Sequence, residues 1–431
     1  MHRIIVFIVL LVTSTPVAMS QSFDELMDAY WKAETAVDRE KVSKKIVGAT
    51  FSVDKVYAAL VKGKSYSHQR SGYVKVLQQT DPKLPPHAVV TVPEGYDPTK
   101  QYPVQIYLHG AVSNVDPFFL YRYTIDTTNT ELLKADRIFI FPSGWNFAPW
   151  WSDVQSTNLH YLLNYVKENY NVDENKVRLS GVSDGGIGSY YFANCDQTYW
   201  SGVTPFIGSV RALTRVGARQ LYFNNFSNVP FYIVNTNLDN IFDISWEKPF
   251  ADEVRNRNPK SHYTIVKGEG HNMKWFPGLR DSINTFVQNH SRHPYPDTLI
   301  WQTENLNFGR YRYLVIDKIG KTKSDARIAD PNSVDLLGTP ITAFRRELPS
   351  GIIRLVKSGN SVQVEASNVK QYTILISPDH FDITQPIVVI TNGTKSFEGK
   401  VNPDVSTLLK WNRKDNDRKM LFVSELTIKV N

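Results

Sequence analysis

The run Val177-Arg178-Leu179-Ser180-Gly181-Val182-Ser183-Asp184-Gly185-Gly186 constrains this chain more than any other stretch. Apolar, strand-like residues lead into Gly-x-Ser-x-Gly, and helix-like residues follow from Ile187. A serine in that setting sits on a tight strand-to-helix turn, with its hydroxyl pushed out beyond the end of a sheet. Gly181 and Gly185 let the turn close, because a side chain at either position would meet neighbouring backbone. The helix start directly after Ser183 also aims backbone amides at any negative charge that develops there. Ser183 is therefore the candidate nucleophile.

A serine hydroxyl is a weak nucleophile without a base. His271 is the candidate, in Gly268-Glu269-Gly270-His271-Asn272, directly after a predicted strand at His262–Val266. A histidine on a loop at the carboxyl end of a strand can reach over the sheet to the serine turn. The acid is expected after the preceding strand, residues 231–235. Asp239, in the exit loop Thr236-Asn237-Leu238-Asp239-Asn240, would orient the imidazole and stabilise its charged form. Asp243 is close enough to compete, and helix capping is the alternative role for either aspartate. The order Ser183, Asp239, His271 is one expected for a serine turn of this kind.

The developing oxyanion needs donors. Leu108-His109-Gly110-Ala111 ends the first strong core strand, so the backbone amide of Ala111 is assigned as one donor and that of Asp184 as the other. Each such donor typically contributes about 3 kcal/mol of transition-state stabilisation. His109 reads as a packing residue at the sheet end. The loop Gly144-Trp145-Asn146-Phe147-Ala148-Pro149-Trp150-Trp151 has two readings. Trp145, Trp150 and Trp151 form an aromatic, substrate-binding wall at the catalytic face, or they seal the domain against the N-terminal helices.

Around these motifs the chain alternates short apolar strands with helical segments from residue 71 to residue 290, which implies a mostly parallel sheet covered by helices. Ahead of it, residues 21–70 form a helical extension, opened by the capping box Ser22-Phe23-Asp24-Glu25. A polar, proline-bearing linker at 291–297 leads into a strand-rich region at 298–431, expected to be a separate all-β, sandwich-like domain, with Asn392-Gly393 as a hairpin turn. A chain of 431 residues is long for one core, so two domains are the default.

Residues 1–20 have the layout of a secretory signal peptide: a positive start, an apolar run too short to span a bilayer, and Ala18-Met19-Ser20 before Gln21. A secreted or periplasmic protein is expected, with no membrane span. The single cysteine, Cys195, excludes an internal disulfide and reads as a small buried hydrophobe. No dense Cys/His cluster suggests a metal, and no cofactor is called for. The net charge of +7 is spread out without a basic run, so nucleic-acid binding is unsupported. Oligomeric state is left open.

The strings Leu108-His109-Gly110, Asn171-Val172-Asp173-Glu174-Asn175-Lys176-Val177, Gly181-Val182-Ser183-Asp184-Gly185-Gly186 and Glu269-Gly270-His271 resemble the secreted esterase branch of α/β-hydrolases. That branch includes polyhydroxybutyrate depolymerases, feruloyl esterases and phospholipase/carboxylesterase-like proteins, with a more distant likeness to prolyl-oligopeptidase-type catalytic domains. The resemblance covers residues 88–290, about half the chain. It implies an α/β-hydrolase fold, a serine carboxylic ester hydrolase working through a covalent acyl-enzyme, and an ester-bearing small molecule or polymer as its substrate partner. A serine peptidase and a non-catalytic, surface-binding protein with a relic serine turn are the other two readings.

Overall fold

The computed structural model describes residues 21–77, 87–113, 130–216, 220–321 and 348–430. The signal-like segment 1–20 lies outside them. Three helices come first: α1 (Phe23–Lys32), α2 (Ala36–Gly48) and α3 (Val53–Lys62). The capping box forms as expected. Ser22 Oγ accepts from the Glu25 amide at 3.3 Å, and the Glu25 carboxylate accepts from the Ser22 amide at 2.8 Å.

Eight strands then build one sheet: β1 (Gly72–Leu77), β2 (His87–Val92), β3 (Tyr102–Leu108), β4 (Ile138–Pro142), β5 (Val172–Val182), β6 (Val203–Phe206), β7 (Tyr232–Thr236) and β8 (His262–Val266). Their spatial order is β1-β2-β4-β3-β5-β6-β7-β8. β2 pairs antiparallel with β1 and β4, whereas every pairing from β4 to β8 is parallel. All five residues of β7 are buried, as expected for a parallel strand covered on both faces. The covering helices are α4 (Asp153–Asn169), α5 (Asp184–Cys195), α6 (Val210–Val216), α7 (Ile244–Arg257) and α8 (Phe276–Asn289). From β3 the chain steps to one side to make β4, then returns past β3 to make β5. The order therefore reverses around β3, and the carboxyl ends of β3 and β5 flank the kind of crevice in which open α/β sheets bind ligands.

The remaining strands are β9 (Thr298–Thr303), β10 (Arg310–Tyr311), β11 (Leu314–Ile319), β12 (Gly351–Ser358), β13 (Ser361–Ser367), β14 (Val369–Ile376), β15 (Ile387–Thr391), β16 (Thr394–Gly399) and β17 (Ser424–Lys429). They form two sheets, β10-β11-β14-β17 and β16-β15-β13-β12-β9. Asn392 and Gly393, both at positive φ, turn β15 into β16 as the hairpin signal required. Two expectations for this half need correction. It is not all-β, because α9 (Val405–Asp415) lies between β16 and β17 and packs Leu408 and Leu409 against α1, α2 and α3 in one apolar cluster. Nor is 291–297 a free linker, since Arg292 and Tyr295 are buried. The Arg292 guanidinium is held by Asp417 at 2.7 and 3.1 Å, and the Tyr295 hydroxyl donates to the Leu421 carbonyl. Arg418 pairs with Glu174 at 2.6 Å, and Asn225 bonds the backbone of Gln302 in both directions at 2.9 Å. A single apolar core runs from the parallel sheet into the C-terminal strands.

Candidate active site

β5 ends at Val182, and the next residue, Ser183, stands at φ 56°, ψ −118°, before α5 begins. A non-glycine residue in this region is strained. The turn is closed by its glycines: a Cβ on Gly181 would collide with the Gly185 carbonyl, and one on Gly185 with the Leu108 carbonyl. Ser183 is fixed by its own amide, which donates to the Phe206 carbonyl at 3.0 Å. Its hydroxyl lies 2.8 Å from His271 Nε2, and His271 Nδ1 lies 2.7 Å from Asp239 Oδ2. Three residues spread over 88 positions thus form one hydrogen-bonded relay at the carboxyl edge of the sheet.

Local chemistry explains how each partner arrives there. Asp239 Oδ1 accepts from the amides of Ile241 and Phe242 at 2.8 and 2.9 Å, folding the acid loop over its own carboxylate. The other oxygen is left for His271, and three N–H donors satisfy a side chain with no solvent exposure. The loops after β7 and β8 are laced together. The Leu238 amide donates to the Glu269 carbonyl, the Asn237 side chain accepts from the Gly268 amide, and Thr236 Oγ1 donates to the Gly270 carbonyl. The Phe242 ring packs edge-on against the imidazole. Asp243, the competing acid, caps α7 by accepting from the Ser245 amide at 2.8 Å. That bond and the Ser245 hydroxyl hold its carboxyl below the ordinary range, and it takes no part in the relay.

The loop after β3 faces the serine. A Cβ on Gly110 would stand 3.1 Å from Ser183 Cβ, and Ala111 adopts φ 57°. The Asp184 side chain accepts from the Val112 amide at 2.9 Å, tying this loop to the first residue of α5. Ala111, Ser183 and Ile207, three of the eight non-glycine residues with positive φ among the described residues, follow three neighbouring strands, so backbone strain concentrates at one edge. His109 braces the loop from below. Its Nε2 accepts from the Gly144 amide at 3.0 Å, so its proton sits on Nδ1 and is donated to the Gly110 carbonyl at 2.6 Å. Burial keeps its basicity below that of an ordinary histidine.

The tryptophans do not form a wall at this edge. Trp145 and Trp150 are buried and Trp151 is half-buried against the core. The Trp150 indole donates to the His109 carbonyl at 2.8 Å, packs edge-on against the His109 ring, and fills the space left by Gly144 and Gly188. The loop turns back on itself through paired bonds between Trp145 and Ala148, leaving Asn146 and Phe147 at its tip exposed to solvent. Sequence reading missed Phe242, the loop brace from the Asp184 side chain and the positioning role of His109, because each depends on a partner distant in the chain.

The strand order, the serine turn after β5, and the acid and histidine after β7 and β8 define an α/β-hydrolase fold. No protein-family model matches the chain, and no curated protein matches it. Among solved structures it is similar to a thermostable esterase, at 15% identity and a TM-score of 0.43 over 51% of this chain and 63% of that one. The chain thus spans just under two thirds of that esterase. It is also similar to a ferulic acid esterase, at 16% identity and a TM-score of 0.40 over 51% of this chain and 99% of that one. A fluorophosphonate-binding serine hydrolase of Staphylococcus aureus matches at 13% identity and a TM-score of 0.40, with the same two coverages.

Proposed function

We propose that this chain is a serine hydrolase that cleaves carboxylic esters through a covalent acyl-enzyme. The observation that carries the reading is the relay of Ser183, His271 and Asp239, with spacings of 2.8 and 2.7 Å. In this reading His271 takes the Ser183 proton as the hydroxyl attacks the ester carbonyl, and returns it to the departing alcohol. Water then repeats the attack on the acyl-serine, with the same imidazole as base. Asp239 holds the proton of His271 on Nδ1, leaving Nε2 free to accept. The amides of Ala111 and Asp184 are the proposed donors to the oxyanion, supported by the way the Gly110 loop and the start of α5 converge on Ser183.

Export to the periplasm or outside the cell is proposed from residues 1–20 alone. The C-terminal β region is proposed as a buttress of the catalytic unit, supported by the shared core and the buried pairs Arg292–Asp417 and Arg418–Glu174.

The test is labelling with a fluorophosphonate, followed by rates on short alkyl esters and on chromogenic dipeptides. The wild type should label and hydrolyse the esters, whereas Ser183→Ala should not label and should lose about 10⁶-fold in kcat. Equal labelling of Ser183→Ala would overturn the nucleophile, and cleavage of dipeptides in preference to esters would move the protein to the peptidases.

A further inference from the structure

Large apolar side chains that remain exposed are unevenly distributed over the molecule. Ten stand out among the described residues, and four of them, Phe147, Leu238, Ile241 and Trp246, lie on or just after the connections that leave the carboxyl ends of β4 and β7. This is the edge that carries Ser183. Two of the four are locked to the relay by backbone bonds. Leu238 precedes the acid, and its amide is held by the carbonyl of Glu269, two residues before His271. Ile241 donates its amide to the same Asp239 carboxylate that holds the imidazole. The turn that buries the Asp239 side chain thereby points its two aliphatic neighbours outward, 61% and 57% exposed. Trp246 is partly covered by the Arg211 guanidinium, 4.6 Å from its ring. Leu238 and Ile241 are the two whose backbone is tied to the relay and whose side chains are open to solvent.

Exposed apolar surface grouped at one place marks a site of interaction, and here it lies on the loop that brings Asp239 to His271. We infer that Leu238 and Ile241 form an apolar wall for the substrate, and that the preferred esters carry an extended apolar group on one side of the scissile bond. The inference rests on the serine hydrolase reading and names its substrate class. The wall takes apolar surface out of water as the ester binds. Each methylene laid fully against it should raise kcat/KM by up to about fourfold.

The experiment compares p-nitrophenyl acetate, butyrate, hexanoate and octanoate, together with acetate esters of hexanol and octanol, on wild type and on the double variant Leu238→Ser/Ile241→Ser. Wild-type kcat/KM should climb with length in one of the two series, which tells whether the acyl or the alcohol side meets the wall. The double variant should flatten that climb, chiefly through KM, while Val356→Ser, at an exposed position of β12, keeps the wild-type profile. A climb of equal slope in the double variant, or no climb in either wild-type series, overturns the wall. The two failures separate cleanly: a wild type that labels with fluorophosphonate but shows no length dependence removes only the wall, whereas one that does not label removes the hydrolase as well.

Discussion

Two connections leave the same edge of the sheet and treat their apolar residues in opposite ways. The loop after β4 carries three tryptophans and turns Trp145 and Trp150 inward. The loop after β7 carries aliphatic residues and turns Leu238 and Ile241 outward. Hydrophobicity alone would have assigned substrate contact to the tryptophans. The difference lies in what each loop must satisfy. The first has a cleft waiting for it, made by Gly144 and Gly188, and a carbonyl at His109 for the indole N–H. The second must deliver a carboxylate to an imidazole. Folding the Ile241 and Phe242 amides onto that carboxylate turns the Phe242 ring onto the imidazole and leaves Leu238 and Ile241 facing out. The aromatic loop is therefore scaffold, and the acid loop is the one that leaves apolar surface open for the proposed substrate.

The largest effect that would sharpen the contrast is at Trp150. Truncation to alanine should cost about 3–5 kcal/mol of stability, as for other buried aromatics, measured by urea unfolding. A loss below 1 kcal/mol, with activity on long esters gone, would reverse the roles of the two loops. Next in size is His109, which links the tryptophan to the Gly110–Ala111 turn. Replacement by alanine frees that turn and should lower kcat about 10- to 100-fold with KM little changed, the pattern of a misplaced oxyanion donor. Steady-state kinetics on butyrate esters check it, and a change confined to KM would take His109 out of the positioning role.

What the sequence disclosed follows from how local each constraint is. The serine turn was legible because its glycines are demanded by contacts within five residues and by one adjoining strand. The choice between Asp239 and Asp243 was not, since both make the same short-range bonds to following amides; what separates them is the distance to His271. The direction of the tryptophans depends on glycines before and after them in the chain, one of them on α5. Within the helical extension α2 could not be delimited as a separate helix, because only Ser43 and Ile46 of its thirteen residues are buried, leaving almost no apolar period to see. β6 contains Pro205, which argues locally against a central strand. The segment around Arg292 looked like a linker because its charge is met 125 residues away, at Asp417.

A third, smaller effect concerns the ground on which the acid loop stands. Glu247 of α7 is buried and accepts from Ser209 at 2.6 Å and from the first amides of α6. Burial outweighs those bonds and raises its carboxyl to about 7. The folded state therefore holds this proton more tightly than the unfolded chain does. Its contribution to stability is fully present below the ordinary carboxyl range near 4.5, and it is lost as pH rises through about 7. Glu247→Gln cannot ionise, so its thermal midpoint should gain on wild type between pH 5 and pH 8. Parallel melting curves across that interval would show that the carboxyl is already ionised at pH 5 and that α6 and α7 carry no such proton.

The smallest effect is the most discriminating. If Leu238 and Ile241 serve a substrate and not the fold, exchanging either for serine should change the unfolding free energy by no more than about 0.5 kcal/mol, the range for exposed positions free of special contacts. Their backbone amides, which hold the two catalytic loops, survive the substitution, so Asp239 keeps its donors. Measured beside Trp150→Ala in the same urea titration, the pair gives the contrast a number: apolar residues on one loop that stabilise the fold, and on the other that do not. A loss above about 1.5 kcal/mol at Leu238 or Ile241 would mean that the acid loop packs inward as the tryptophan loop does. Their exposure would then no longer point to a substrate.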